Sequence, residues 1–281
     1  MTDTTEFVAL IADMHLAPPE TAGIDKPQSP EDLPARRDRR LESVLAQLAA
    51  GPAPAAVIVG GDCSNEQWFR PDYADHARQC MKRFPAPCCA VPGNHDVGHS
   101  AGGKRFDPAE VESATAAFRA DWGGPWALDA AGFRFLGINT QLFGTDSASA
   151  REQARWLKEQ LGKPTNLLRA VIGHTPPYFG DLADDFDDGT ELMMLPEPAR
   201  SAFHDALITH PPDLLITAHT HRFFVSRHAH WDWLGLPSTA LGQDELWIPT
   251  DHFPPGDDHV GWLSLRRDGA GWNALMHYCG E

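Results

Sequence analysis

Ile58-Val59-Gly60-Gly61-Asp62 sets an apolar run directly against two glycines and a carboxylate. The run from Ala55 to Val59 has the length and β-branched content of a buried strand, and the glycines let the chain turn sharply, so that Asp62 is presented at the strand tip. The same arrangement recurs on both sides of it. Phe7 to Ala12 leads into Asp13-Met14-His15, and Cys88 to Val91 into Gly93-Asn94-His95-Asp96. Leu168 to Ile172 leads into Gly173-His174, and Leu214 to Thr217 into His219-Thr220-His221. Polar residues gathered at the ends of successive apolar strands are how open α/β sheets build their sites.

Between these strands the sequence predicts helices. After a Pro-rich loop, Ala17 to Pro34, the residues Leu41, Val44, Leu45 and Leu48 keep an i, i+3, i+4, i+7 stripe, which Gly51 and Pro52 end. Pro71 to Phe84, Pro108 to Asp121, Ser149 to Leu161 and Pro196 to Ile208 read as further helices, several with proline in the first turn. The last third changes character. Phe223 to Ser226, Trp233 to Leu236, Trp262 to Arg266 and Trp272 to Tyr278 read as antiparallel strands, with Asp268-Gly269 as a hairpin turn. No repeat of solenoid or propeller period is present. The expected fold is an α/β sandwich, a pair of mixed sheets between helical layers. Residues 1–281 are expected to form one domain, because the polar blocks span nearly the whole chain.

The hydrophobic content of 42% with nine Trp and fourteen Phe suits a sizeable core, so the chain is not read as disordered. A formal charge of −16 opposes binding to a long polyanion, since that affinity comes from Lys and Arg neutralising phosphates. A nucleic-acid polymer is therefore not an expected partner. Met1 to Glu6 leads into the first strand without the features of a signal peptide, and no run of ~18 apolar residues occurs, so a cytoplasmic protein without membrane contact is expected. Cys63, Cys80, Cys88, Cys89 and Cys279 lack a C-x-x-C spacing, and reduced, mostly buried thiols are expected.

The polar blocks form a metal-ligand inventory. Asp13 and His15, read as two positions apart on a strand, leave the same side and can grip one ion together. Asp62 can bridge two cations with its two oxygens. Asn94 offers an amide oxygen, and His174, His219 and His221 offer imidazole nitrogens. The count closes as Asp13, His15, Asp62 and His221 around one ion and Asp62, Asn94, His174 and His219 around another. Each residue alone is more simply a loop or core position; their joint occurrence in this order carries the reading. Oxygen and nitrogen donors without thiolate suit Mn, Fe, Zn or Co, divalent or trivalent, without choosing among them.

The pattern resembles the calcineurin-like metallophosphoesterase superfamily, whose Asp-x-His, Gly-Asp, Gly-Asn-His-Asp, Gly-His and Gly-His-x-His blocks all occur here in order between Phe7 and His221. Two departures are Ala218, where the last block usually has Gly, and Cys63, where a larger aliphatic residue commonly follows Gly-Asp. The chain is also similar to a small calcineurin-like phosphatase of animals, through Gly93 to Gly98 and Asn139 to Phe143. The resemblance implies a four-layer α-β-β-α sandwich of two mixed sheets flanked by helices. It also implies phosphoester hydrolysis, with His95 facing the substrate as general acid.

Two divalent ions ~3.5 to 4 Å apart can share a hydroxide and clamp phosphate oxygens while that hydroxide attacks phosphorus in line. Their four positive charges against three from Asp13, Asp62 and hydroxide leave about +1, which attracts phosphate even on an acidic chain. Asp96 is expected to orient the His95 ring. Gly98 to Lys104 has phosphate-loop spacing, but Arg105 stands where the magnesium-holding Ser or Thr belongs, so an NTPase is not indicated. Lys104 and Arg105, with His99 and Tyr178, are candidate substrate contacts, and Trp68 is a further one. Asp181 to Glu191 is acidic but lacks the oxygen spacing of a calcium loop, and reads as a solvated flap over the site. The substrate class is a small phosphomonoester or phosphodiester, or a phosphoprotein. The competing class is a catalytically silent metal-binding scaffold of the same fold; such members are expected to lose ligands or the acid histidine, and none is lost here.

Overall fold

The computed structural model describes residues 6–18, 34–66, 68–98, 108–179, 193–242 and 254–279. Strand and helix alternate through the first part: β1 (Val8–Ile11), α1 (Pro34–Ala50), β2 (Ala56–Val59), α2 (Pro71–Met81), β3 (Cys88–Ala90), the single-turn α3 (Asn94–Val97) and α4 (Pro108–Trp122). A hairpin, β4 (Trp126–Ala130) and β5 (Phe133–Gly137), precedes α5 (Ala148–Leu161), β6 (Leu168–Ile172), α6 (Ala199–Ile208) and β7 (Leu214–Thr217). The chain ends in β8 (Phe223–Arg227), β9 (Asp232–Gly235), β10 (Gly256–Asp257), β11 (Gly261–Asp268) and β12 (Gly271–Tyr278).

These strands form two mixed sheets, ordered β12-β11-β1-β2-β3 and β10-β8-β9-β7-β6-β5-β4. β1, β2 and β3 run parallel, and β11 joins β1 antiparallel with Val8 opposite Leu265. In the second sheet β5, β6, β7 and β9 are parallel, while β4, β8 and β10 run antiparallel to their neighbours. The tips of β1, β2 and β3 in one sheet, and of β6 and β7 in the other, carry the five polar blocks.

Alternation along each strand builds three buried layers. Val8 and Leu10, Ala170 and Ile172, Leu214 and Ile216, and Leu263 and Leu265 point between the sheets and fill one core. Their neighbours Ala9, Ile11, Val57 and Val59 point outward under Leu41, Val44 and Leu48 of α1, Ala74 and Ala77 of α2, and Phe118 of α4. On the other side Val171, Leu215 and Trp233 meet Leu157 and Leu161 of α5 and Phe203 and Leu207 of α6. The result is the four-layer α-β-β-α sandwich, with each buried Val, Leu, Ile or Phe contributing roughly 1.5–3 kcal/mol.

Some boundaries differ from the sequence reading. α6 starts at Ala199 rather than Pro196, because Pro198 disfavours helical backbone at Glu197. α5 starts one residue earlier, at Ala148, where the Ser147 hydroxyl caps the Ala150 amide. The β4–β5 hairpin was not expected; its two-residue turn, Ala131-Gly132, has φ of 49° and 82°, the left-handed pair of a type I′ turn, without the Asn-Gly or Asp-Gly that announces one. Three of the five cysteines are buried and all five are free thiols. No helix among the described residues is long and apolar enough to cross a membrane.

Candidate metal centre

β1 ends at Ile11, so Asp13 and His15 do not lie on a strand as the spacing suggested. Both take left-handed backbone, with φ of 50° and 45°. Asp62, His219 and His221 do the same at 47°, 68° and 52°. Among the described non-glycine residues, only Ala131 joins these five at positive φ. Such conformations cost about 1–3 kcal/mol each and persist where the surroundings over-determine them, typically at functional sites. Here the loops after β1 and β2 zip together: Asp13 N donates to Gly61 O at 3.0 Å, His15 N to Asp62 O at 2.9 Å and Leu16 N to Cys63 O at 3.1 Å. Glycine is required at Gly61, whose φ is +98° and where a Cβ would stand 2.5 Å from His174 Nδ1. At Gly93 a Cβ would collide with the Asp62 carboxylate.

The curled loops bring the seven candidate ligands together, none more than 9% exposed. Asp13, His15 and His221 form one group of mutually close donor atoms, and Asp62, His174 and His219 form a second. Asp62 Oδ2 lies 3.7 Å from His15 Nε2 and 3.2 Å from His174 Nε2, so this carboxylate stands between the groups. Asn94 Oδ1 is 3.1 Å from His174 Nε2, and Asp13 Oδ1 is 3.4 Å from His221 Nε2. The His174 ring lies 5.1 Å from that of His219.

The donor set fits cations. His174 Nδ1 is 2.9 Å from Gly60 O and His221 Nδ1 is 2.8 Å from Leu241 O, and a carbonyl can only accept. Each Nδ1 therefore carries the hydrogen, and in the neutral ring each Nε2 lone pair turns toward the carboxylates, the arrangement that prepares histidine for a metal. Asp13 Oδ1 is buried with no hydrogen-bond partner, an expensive position for a carboxylate oxygen unless a cation completes it.

Electrostatics within the cluster follow from burial and from these contacts. Burial alone would raise the Asp62 carboxyl, but the rings of His174, His95 and His15 hold it well below the usual carboxylate range. Burial likewise pulls His174 down, and the Asp62 and Asp13 carboxylates outweigh it, raising the imidazole to about 9. His221 is raised in the same way by Asp13, whereas burial and the neighbouring His95 keep His15 well below its ordinary value.

His95 touches the cluster from its open side. Its backbone amide donates to Asp62 Oδ1 at 2.8 Å, its ring meets His15 edge-on at 4.6 Å, and its Nδ1 lies 3.1 Å from Asn65 O. Asp96, expected to orient that ring, does something else. Its buried carboxylate accepts the amides of Gly93 at 2.8 Å, Ser64 at 2.9 Å and Cys63 at 3.2 Å, tying the loop after β2 to α3. Burial, then the nearby Asp62 charge, push it up to about 7. The same burial, with Asp96 next, drives the Cys63 thiol well above its ordinary value.

Two proposed substrate contacts belong to the core. Tyr178 is buried, with its ring against His228 and Trp233 on the α6 side of the second sheet. Trp68 is buried against Phe118, its indole N–H donating to Asp121 Oδ2 at 2.6 Å. Both aromatics fill space between layers, which a one-dimensional reading cannot distinguish from a pocket wall. His99, Lys104, Arg105 and the whole acidic 181–191 stretch lie outside the described residues. Ala218 keeps an ordinary φ, since the left-handed turns fall on His219 and His221, so its methyl group is accommodated.

Sequence reasoning missed the residues behind the ligands. Arg37 and Arg40 of α1 are each only 3% exposed, and they donate to His15 O and Ala240 O. The available signal was their position on the same helical face as Leu41, Val44 and Leu48, where a solvated charge does not belong.

Fold and site together define an α/β sandwich with a buried Asp/His/Asn cluster at the tips of strands from both sheets. The sequence profile of calcineurin-like phosphoesterases matches residues 8–223, and the chain belongs to that family. It is 22% identical over 231 residues to a probable cyclic nucleotide phosphodiesterase of Synechococcus sp., covering 80% of this chain and 77% of that protein. Its fold is shared with a dimetal phosphatase from Danio rerio (TM-score 0.59, 13% identity, 99% of this chain and 100% of that one). It is likewise shared with purple acid phosphatase PPD1 from yellow lupin seeds (TM-score 0.67, 12% identity, 98% of this chain and 51% of that one).

Proposed function

We propose that this family member is a two-metal phosphoester hydrolase acting on a small phosphodiester. The observation that carries the reading is the buried Asp62 carboxylate, set between a group of Asp13, His15 and His221 and a group of His174, His219 and Asn94. Those residues would hold two divalent ions, with Asp62 facing both. When bound, such ions polarise phosphoryl oxygens and lower the pKa of water, supplying a nucleophile at neutral pH.

The protein's own part is to fix donors and to move a proton. The Gly60 and Leu241 carbonyls hold the two imidazoles in the ligating tautomer. His95, on the open side, keeps Nδ1 on Asn65 O, which leaves Nε2 to give a proton to the departing alkoxide. Asp96 acts through the backbone, holding Gly93 and Ser64 so that Asn94 and His95 emerge in register. Diester is favoured over monoester by the name of the Synechococcus relative, and by the formal charge of −16, which repels a dianion more than a monoanion.

The test is hydrolysis of bis-nitrophenyl phosphate beside nitrophenyl phosphate, after loading with manganese and after chelation. Faster, chelator-sensitive turnover of the diester is expected. Turnover that survives chelation removes the metal reading, and monoester preference removes the diester one.

A further inference from the structure

α1 sends two buried guanidinium groups into the back of the ligand cluster. Arg37 and Arg40 are three residues apart and share one helical face. Arg37 Nη1 donates to His15 O at 2.7 Å. Arg40 Nη1 donates to Ala240 O.

Ala240 belongs to a buried strap, Ser238 to Leu241, that grips the other members of the same group. Ser238 Oγ donates to Asp13 O at 2.8 Å, and Ala240 N donates to the same carbonyl at 3.2 Å. Thr239 N donates to Ala12 O at 3.0 Å, and Leu241 O accepts from His221 Nδ1 at 2.8 Å. The strap is pinned to itself by the Ser238 hydroxyl, which accepts the amides of Ala240 and Leu241 at 3.0 Å each. Asp13, His15 and His221 all sit in left-handed backbone, which needs such over-determination to persist.

The second group has supports that neither arginine touches: His174 leans on the Gly60 carbonyl, and Asp62 accepts the His95 amide at the start of α3. It meets the first group where His15 N donates to Asp62 O at 2.9 Å and His219 N donates to Asp13 Oδ2 at 3.3 Å.

We propose that Arg37 and Arg40 are positioning residues for one metal site only, holding Asp13, His15 and His221 in ligating geometry while the Asp62, Asn94, His174 and His219 site forms without them. Arg37 acts on His15 directly through its carbonyl, and Arg40 acts on Asp13 and His221 through the strap. The inference rests on the two-metal reading proposed above. It adds that the two ions differ in what secures them, so that α1 can be altered to yield a protein with one ion.

The test uses Mn²⁺ alone as probe on the full chain, read by calorimetric titration and by electron paramagnetic resonance, neither of which needs activity. Variants are Arg37→Gln and Arg40→Gln, with Arg37→Lys and Arg40→Lys retaining a charged donor. Wild type is expected to bind two ions and to give the spectrum of a coupled pair. Each Gln variant is expected to keep one ion at wild-type affinity and to bind the second 10- to 100-fold more weakly, the usual effect of losing a group that orients a ligand. Its spectrum should be that of an isolated Mn²⁺, and the Lys variants should recover part of the second site. Equal weakening of both ions, or no change in either, overturns the proposal. If a Gln variant does not fold, its Lys counterpart decides by the same criterion, selective loss at one site supporting the proposal and uniform change overturning it. A wild type that binds no Mn²⁺ sinks the two-metal reading itself, an outcome distinct from these.

Discussion

His15 and His221 direct their Nε2 atoms at one another across 3.3 Å, in a chamber where neither residue is more than 4% exposed. His221 has its hydrogen on Nδ1, held by Leu241 O, so its neutral ring offers a lone pair at that meeting point. Asp13 Oδ1, without a hydrogen-bond partner, lies 3.4 Å from the same nitrogen. Two ring nitrogens and a carboxylate oxygen without a hydrogen-bond partner converge there out of water, a donor set that suits a cation.

Asp62→Asn keeps the shape but halves the donor capacity of the group between the two sites. Bound metal is expected to fall below two ions per chain, and turnover of a nitrophenyl diester to drop by more than the roughly 100-fold typical of losing an outer partner. Metal analysis beside the rate checks this; unchanged metal content and rate contradict the bridging role.

His95→Ala removes a ring whose donor atom lies close to those of His15 and Asp62 but which is not among the seven proposed ligands. Metal content is expected to stay at the wild-type value while turnover falls roughly 10²- to 10⁴-fold on a substrate with an alkyl leaving group, and less with nitrophenoxide, which departs unprotonated. An equal loss on both substrates argues against proton donation.

Gly61→Ala places a Cβ 2.5 Å from His174 Nδ1 at a φ of +98°. The ring must leave the Gly60 carbonyl or the backbone must shift, a cost of about 1–3 kcal/mol in a tightly filled region. Urea unfolding should show that loss together with weakened metal binding; wild-type stability contradicts the close approach.

A pH effect is expected away from the site, where His76 Nε2 lies 3.4 Å from Asp38 Oδ1 and joins α2 to α1. The contact with Asp38, and then with Cys80, raises the imidazole to about 10. A folded value above the unfolded one of about 6.5 stabilises the protein fully below pH 6.5, and that contribution is lost as pH rises through about 10. The pair is partly exposed, so the effect is small and salt-sensitive. The difference in urea midpoint between wild type and His76→Asn should be larger at pH 6 than at pH 10; equal differences contradict the assignment.

The five blocks were legible because each joins a short apolar strand to a ligand-type residue, and both signals are local. The antiparallel end was legible in Trp262 to Tyr278, although the turn falls one residue later, on Gly269-Ala270 between Asp268 and Gly271. What escaped depends on distance in sequence or on unusual backbone. Asp13 and His15 look like strand positions until their left-handed φ is known. Ala131 in a type I′ turn carries no turn signal. Arg37, 22 residues beyond His15, and Arg40, 200 residues before Ala240, find their carbonyls only in three dimensions. Tyr178 and Trp68 were misjudged because an aromatic ring serves equally well in a core or a pocket.

Anomalous diffraction from crystals grown with Mn²⁺ tests the central claim most directly. Two peaks ~3.5 to 4 Å apart are predicted, one touching Asp13, His15 and His221, the other touching Asn94, His174 and His219, with Asp62 against both. A single peak, or two that do not share Asp62, would contradict the two-metal account.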